Sequence, residues 1–179
     1  MPTYIAMLRG INVTGSKIIK MEPLRASFAA LGFKNVQSYV QSGNLIFEAP
    51  NASIAVLSAK IERKIMSDFG HAVPVFLRTP KEMAEIIKRN PFPKDPAVDQ
   101  SRLYVTFLAD VASKNAAELL KPLAAGAEQI HVVGRETFLH CPNGYGKTKI
   151  SNNAIEKKLS IAATTRNWKT TQTLLAMAQ

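Results

Sequence analysis

The sequence predicts an α+β fold in which one βαββαβ succession is used twice, each copy followed by an extra helix. Three observations predict it. Short apolar strands and amphipathic helices follow one another as strand, helix, two strands, helix, strand. The same succession restarts after a stretch holding Pro91, Pro93 and Pro96. The two copies also agree locally. Phe47-Glu48-Ala49-Pro50-Asn51 aligns with Leu139-His140-Cys141-Pro142-Asn143, and Arg78-Thr79-Pro80 with Arg166-Asn167-Trp168. A βαββαβ unit is the ferredoxin-like motif, so a tandem duplication of that unit is expected. The expected parts are a first half over 1–90, a Pro-rich linker over 91–101 and a second half over 102–179. A chain of 179 residues is long enough for two small cores.

Each element has a local reason. Thr3–Leu8 is an apolar strand running into the glycine-bearing loop Arg9–Lys20. Met21–Leu31 reads as a helix, with Leu24, Phe28 and Leu31 on one face, Pro23 in the first turn and Gly32 at the end. Val36–Gln41 and Asn44–Glu48 read as strands joined by a two-residue turn, Ser42-Gly43. Ser53 caps a helix with Ile54, Leu57, Ile61 and Ile65 on one stripe. Val73–Leu77 is a strand of buried type. Thr79-Pro80-Lys81-Glu82 is a capping box with Pro at the first helical position. In the second half, Arg102–Leu108 is a strand and Ser113–Leu123 a helix. Gln129–Val133 and Thr137–Cys141 form a hairpin around Gly134-Arg135-Glu136. Ile150–Leu159 is a helix, Ile161–Thr164 a short strand, and Asn167 caps a final helix.

Composition narrows the function classes. The apolar share of 46% and charged share of 20% are those of an ordinary globular protein. No apolar run approaches the roughly 20 residues of a membrane span. The N-terminus lacks the basic start and long apolar stretch of a signal peptide, and Cys141 has no partner for an internal disulfide. A cytoplasmic protein away from membranes is therefore expected. The net charge is +10, and nine of those charges reside in residues 1–47 and 135–179. Such a surface attracts phosphates, polyanions or acidic protein surfaces; a merely solvated basic face is the plain alternative.

The repeat acts as an internal control, because a purely structural connection recurs in both halves. The first half places Arg9–Lys20 between its first strand and helix, where the second uses only Ala109–Ala112. The second half adds Gly144-Tyr145-Gly146-Lys147 after the shared Pro-Asn. Both additions are glycine-bearing and basic, a composition that lets backbone N–H groups and cations approach an anion. Neither is a P-loop. Ser16-Lys17 reverses the required Lys-Ser order after Gly10 and Gly15, and Gly146-Lys147-Thr148 has Cys141 where the first glycine belongs.

The other chemistries find no constellation. His140 and Cys141 are adjacent on a strand and point to opposite faces, and His71 and His131 lack ligand spacing, so no metal site or cofactor is expected. Cys141 lacks a positioned histidine and reads as a small buried residue. Acidic residues are scattered, without a paired-carboxylate arrangement. Trp168 suits stacking on a ring, but at a helix start after a strand it is more often a core anchor. Tyr39 and Phe47 lie on adjacent strands, yet the basic, glycine and aromatic signature of RNA-binding sheets is missing.

The chain resembles a bacterial family of uncharacterised proteins, the domain of unknown function 1697 family. The resemblance is carried by Arg9-Gly10-Ile11-Asn12-Val13, Met21 with Leu24, Ser38-Tyr39-Val40-Gln41-Ser42-Gly43-Asn44, Asn90-Pro91-Phe92, Gly144 with Lys147-Thr148-Lys149, and Thr165-Arg166-Asn167-Trp168. The family usually has Gly where Thr14 stands, Thr where Ser38 stands and Ser where Thr148 stands. The resemblance supports the fold and the choice of residues and implies no activity.

The leading functional expectation is binding of an anionic ligand, phosphorylated or nucleotide-like. Arg9, Lys17, Lys147 and Arg166 would supply charge, Asn12, Ser42, Asn44 and Asn167 directional hydrogen bonds, and Trp168 a ring. A metal-independent enzyme acting on such a ligand, a nucleic-acid-binding module and a self-association module stand as alternatives, and no oligomeric state is implied. Topology adds a constraint. With the first and third strands taken as parallel neighbours, Arg9–Lys17 would lie at the opposite end of the sheet from Ser42, Asn44 and Arg78. The first loop would then need the Arg166-Asn167-Trp168 corner of the other half to complete a site.

Overall fold

The computed structural model describes residues 1–179. Eight strands form two separate four-stranded antiparallel sheets, and six helices accompany them. The chain divides into two compact units, Met1–Ala84 with Thr173–Gln179, and Glu85–Gln172.

In the first unit, β1 (Thr3–Leu8), β2 (Lys34–Tyr39), β3 (Asn44–Glu48) and β4 (Val75–Arg78) lie in the order β2-β3-β1-β4. Helices α1 (Met21–Ala30) and α2 (Ile54–Phe69) carry the crossovers, and α3 (Pro80–Arg89) follows β4. Alternation along β1 puts Tyr4, Ala6 and Leu8 on one face. They belong to one buried core with Leu24 and Phe28 of α1, Leu57, Ile61 and Ile65 of α2, and Phe47 of β3. Phe47 is its centre: Phe33 stacks on it at 4.7 Å and Phe28 meets it edge-on at 5.2 Å, the two arrangements that ring quadrupoles favour. Ser53 caps α2 by accepting from the Val56 N–H (3.2 Å), and Gly70 ends it with φ +72°. At α3 the capping box closes both ways. The Thr79 N–H donates to Glu82 Oε2 (2.8 Å) and the Glu82 N–H to Thr79 Oγ1 (3.1 Å).

In the second unit, β5 (Leu103–Leu108), β6 (Gln129–Val133), β7 (Glu136–His140) and β8 (Ala163–Asn167) take the order β6-β7-β5-β8. Helices α4 (Ala116–Leu120) and α5 (Asn152–Leu159) carry the crossovers, and α6 (Trp168–Ala178) follows β8. Helix α4 is shorter than the expected Ser113–Leu123 and tightens into a 3-10 turn at Lys121–Leu123. Pro122 is the cause, since it lacks an N–H and its ring clashes with the carbonyl a turn earlier. Helix α5 starts at Asn152, two residues later than the periodicity predicts, because Ser151 is its cap and accepts from the Ala154 N–H. Between α3 and β5 lie two 3-10 turns, Phe92–Lys94 and Gln100–Arg102.

The sheets match in register. Tyr4 faces Phe47 and Ile5 faces Arg78 in the first; Tyr104 faces Leu139 and Val105 faces Arg166 in the second. Arg78 and Arg166 are both buried, and each donates through Nη1 to the carbonyl of the residue before it. No helix is long and apolar enough to cross a membrane.

Candidate functional site

One topological expectation is corrected. β1 and β3 are antiparallel, not parallel. In a split βαββ arrangement β3 runs between β1 and β2 and opposes both, so the chain leaving β1 emerges beside the β2–β3 turn. The first loop and the Ser42–Asn44 segment therefore share one end of the first sheet. The Leu8 N–H donates to the Gly43 carbonyl (2.8 Å) and the Arg9 N–H to the Pro74 carbonyl (3.0 Å). Gly43 has φ +85°, and a Cβ there would stand 2.7 Å from Ile11 Cδ1, so only glycine lets turn and loop close together.

The first loop is pinned by its own side chains. Asn12 Nδ2 donates to the Ile19 carbonyl (2.8 Å) and the Gln41 carbonyl (2.6 Å), and Asn12 Oδ1 accepts from the Ile19 N–H (2.8 Å). Lys17 Nζ donates to the Ala72 carbonyl (2.7 Å). Gly10, Asn12, Thr14, Gly15 and Lys17 all take positive φ. The β2–β3 connection is a four-residue turn, Val40–Gly43, rather than the expected Ser42-Gly43 pair, since Tyr39 and Asn44 form the last paired residues. Asn44 is wholly buried, and its Nδ2 donates to the Tyr39 carbonyl (3.1 Å) and Ser42 Oγ (2.8 Å). The carboxamide protons of Asn12 and Asn44 are thus committed to holding this end of the sheet.

In the second unit the Arg166-Asn167-Trp168 corner is built into the fold. Arg166 donates to Thr164 Oγ1 (2.8 Å) and the Thr165 carbonyl (3.0 Å). Burial pushes its pKa down to about 10, which leaves it cationic at neutral pH. Asn167 caps α6, its Oδ1 accepting from the Thr170 N–H (2.7 Å). Trp168 is buried, in keeping with a core anchor, and its Nε1 has no hydrogen-bond partner.

The Gly144–Lys147 addition behaves differently. It borders an open depression of about 590 Å³ lined by Arg102, Lys147, Lys149, Glu128, Pro142 and Asn143. Lys147 ends a 3-10 turn, Tyr145–Lys147, that Gly144 enters with φ +91°. A Cβ on Gly144 would lie 3.0 Å from Arg102 Nη1, so glycine both reaches this backbone geometry and leaves room for the guanidinium. The Cys141 N–H bonds the Arg102 carbonyl (3.0 Å) and the Gly144 N–H bonds the Cys141 carbonyl (2.9 Å). These two bonds draw Arg102 against the loop. The Tyr145 ring packs on Tyr104 at 4.9 Å and fixes the loop from the other side. Burial raises the Tyr145 hydroxyl above its ordinary pKa; Thr165 and the Asn152 backbone only damp the rise, and neither stands at good hydrogen-bonding geometry. Burial likewise pushes the Cys141 thiol up to about 11, against a smaller opposing pull from the Thr148 hydroxyl. Arg102, Lys147 and Lys149 are exposed and make no ion pair or side-chain hydrogen bond within the protein. Sequence reasoning named Lys147 but not Arg102, Asn143 or Lys149 as ligand residues. The Pro-Asn shared by the two halves and Lys147-Thr148-Lys149 carried the signal, whereas Arg102 read only as the start of a strand.

Comparison with known proteins bears on fold and family. The solved structure of conserved bacterial protein SP0830 from Streptococcus pneumoniae superposes with a TM-score of 0.78 at 22% identity, covering 99% of each chain; at that identity the likeness concerns the fold. No protein of curated function matches the sequence. The family described as protein of unknown function (DUF1697) matches residues 1–138, so the chain belongs to that family.

Proposed function

We propose that the protein binds an anionic small molecule, phosphorylated or nucleotide-like, at the depression of Arg102, Lys147 and Lys149. The observation that carries this reading is three exposed cations around one cavity whose lining holds a single carboxylate, Glu128; outside the lining, Asp99 also feels the charge of Arg102. Like charges so gathered repel, and an anion among them relieves that repulsion while accepting charge-assisted hydrogen bonds of about 1.5–3 kcal/mol each. Asn143 adds a neutral donor to the same wall. Arg9 and Lys17 are the cations of the first loop, and Lys17 already donates to the Ala72 carbonyl.

The test is a thermal-shift screen of inorganic phosphate, phosphosugars, nucleotides and oligonucleotides. A ligand at a hundred times its Kd stabilises the native state by about 2.7 kcal/mol, which raises Tm by about 5 °C or more in a chain of this size. The Lys147→Ala/Lys149→Ala double variant is expected to lose the shift, and Arg9→Ala to keep it. A shift lost in Arg9→Ala but kept in the double variant would move the site to the first loop. No shift from any anion would remove the reading.

Two coarser features fit a finer reading. The matching orders β2-β3-β1-β4 and β6-β7-β5-β8, and the matching register of Arg78 and Arg166, support a tandem duplication of a ferredoxin-like unit. A lone buried cysteine supports a cytoplasmic location.

A further inference from the structure

The basic depression does not stop at its cations. Glu128 lines it, and Glu128 also lines a neighbouring depression of about 420 Å³. The second depression is walled by Phe92, Ala117, Ala124 and Ile130, with Gln129, His131 and the cation Lys121 beside them. Both volumes fall in the range of small-molecule sites. The surface therefore presents an aromatic and aliphatic hollow edged by Lys121, then a carboxylate, then three cations, all within the second unit.

We infer, resting on the anion-binding reading above, that the ligand is a ribonucleoside 5′-phosphate whose base sits against Phe92 and Ile130, whose ribose diol meets Glu128 and whose phosphate lies among Arg102, Lys147 and Lys149. Each part has its reason. The Phe92 ring is half-buried and tilted 41° to the His140 ring at 6.0 Å, so it offers a held flat surface. Stacking on such a ring tolerates any base. Gln129 is exposed and carries both a donor and an acceptor for a base edge. Glu128 Oε1 accepts from the Ala125 N–H (2.9 Å), which anchors the carboxylate and leaves its other oxygen to accept from hydroxyls. A carboxylate at the seam disfavours a plain polyanion or a carboxylate-bearing ligand, since it would face like charge. It suits a neutral diol placed between a ring and a phosphate, the use to which dinucleotide-binding sites put an acidic residue.

Isothermal titration separates the possibilities. The probes are ribonucleoside 5′-monophosphates, their 2′-deoxy counterparts, free nucleosides, inorganic phosphate and a short single-stranded oligonucleotide. Wild type is expected to bind a ribonucleotide about tenfold or more tighter than inorganic phosphate, the size of one base–aromatic stack. Phe92→Ala should erase that advantage and leave phosphate binding unchanged. Phe92→Leu, which keeps apolar bulk without the ring, repeats the measurement should the alanine variant unfold. Glu128→Gln should abolish the preference for ribose over deoxyribose, and its amide oxygen still accepts from Ala125. Equal binding of phosphate and nucleotides, indifferent to Phe92, would overturn the inference while leaving anion binding in place. Binding of no anion would overturn both. An oligonucleotide held more tightly per phosphate than the mononucleotide would overturn it in favour of a nucleic-acid strand.

Discussion

Asn12 has no amide proton left for a ligand, because both point at backbone carbonyls. Its φ of +56° explains the residue type, since asparagine tolerates the left-handed region better than most side chains. Thr14 is β-branched and yet takes φ +49°, so this loop holds some strain. Cys141 shows the same precedence of fold over chemistry. Burial pushes its thiol from an ordinary pKa of 9.0 up to about 11, so at neutral pH it is a thiol and a poor nucleophile. The unfolded thiol loses its proton from pH 9.0 upward while the folded one keeps it, so stability is level below 9.0 and falls as pH rises toward 11. Urea midpoints between pH 8 and pH 11, measured for wild type and Cys141→Ala, should show a steeper alkaline loss in wild type. Parallel curves would assign the loss to other groups.

At the scale of elements, the ends were more legible than the lengths. Both halves of the capping box at α3 form as the residues predict, because a cap is decided within four residues. Thr79→Ala should cost about 1 kcal/mol, read as a lower urea midpoint at unchanged m-value; a change below a few tenths would mean that Glu82 alone holds the helix start. Helix α4 and the β2–β3 turn were misjudged for opposite reasons. Pro122 breaks the helix despite continuing apolar periodicity, and Ser42-Gly43 looks like a complete turn although Val40 also takes positive φ. The candidate site was half legible for a related reason. Lys147 stands in a loop whose glycines announce it, but Arg102 joins that loop only through the hydrogen bonds of Cys141.

At the scale of the whole molecule, charge and topology set the terms. A net charge of +10 makes anion binding sensitive to screening. Raising salt from about 0.1 M to about 1 M shortens the screening length from about 10 Å to about 3 Å. The Tm shift produced by phosphate should then shrink by roughly half or more; an unchanged shift would mean that neutral donors, not Arg102, Lys147 and Lys149, hold the anion.

Residue order alone placed the strands to within about three residues at their ends, most helix starts, the repeated βαββαβ succession, the buried cysteine and the concentration of positive charge, because periodicity and caps act over a few neighbours. Only the tertiary structure decided that β1 opposes β3, that the first loop abuts the Val40–Gly43 turn, and that Arg102 lines one depression with Lys147 and Lys149. These are consequences of strand pairing between segments distant in sequence, where the direction of one strand decides which loops share an end of the sheet.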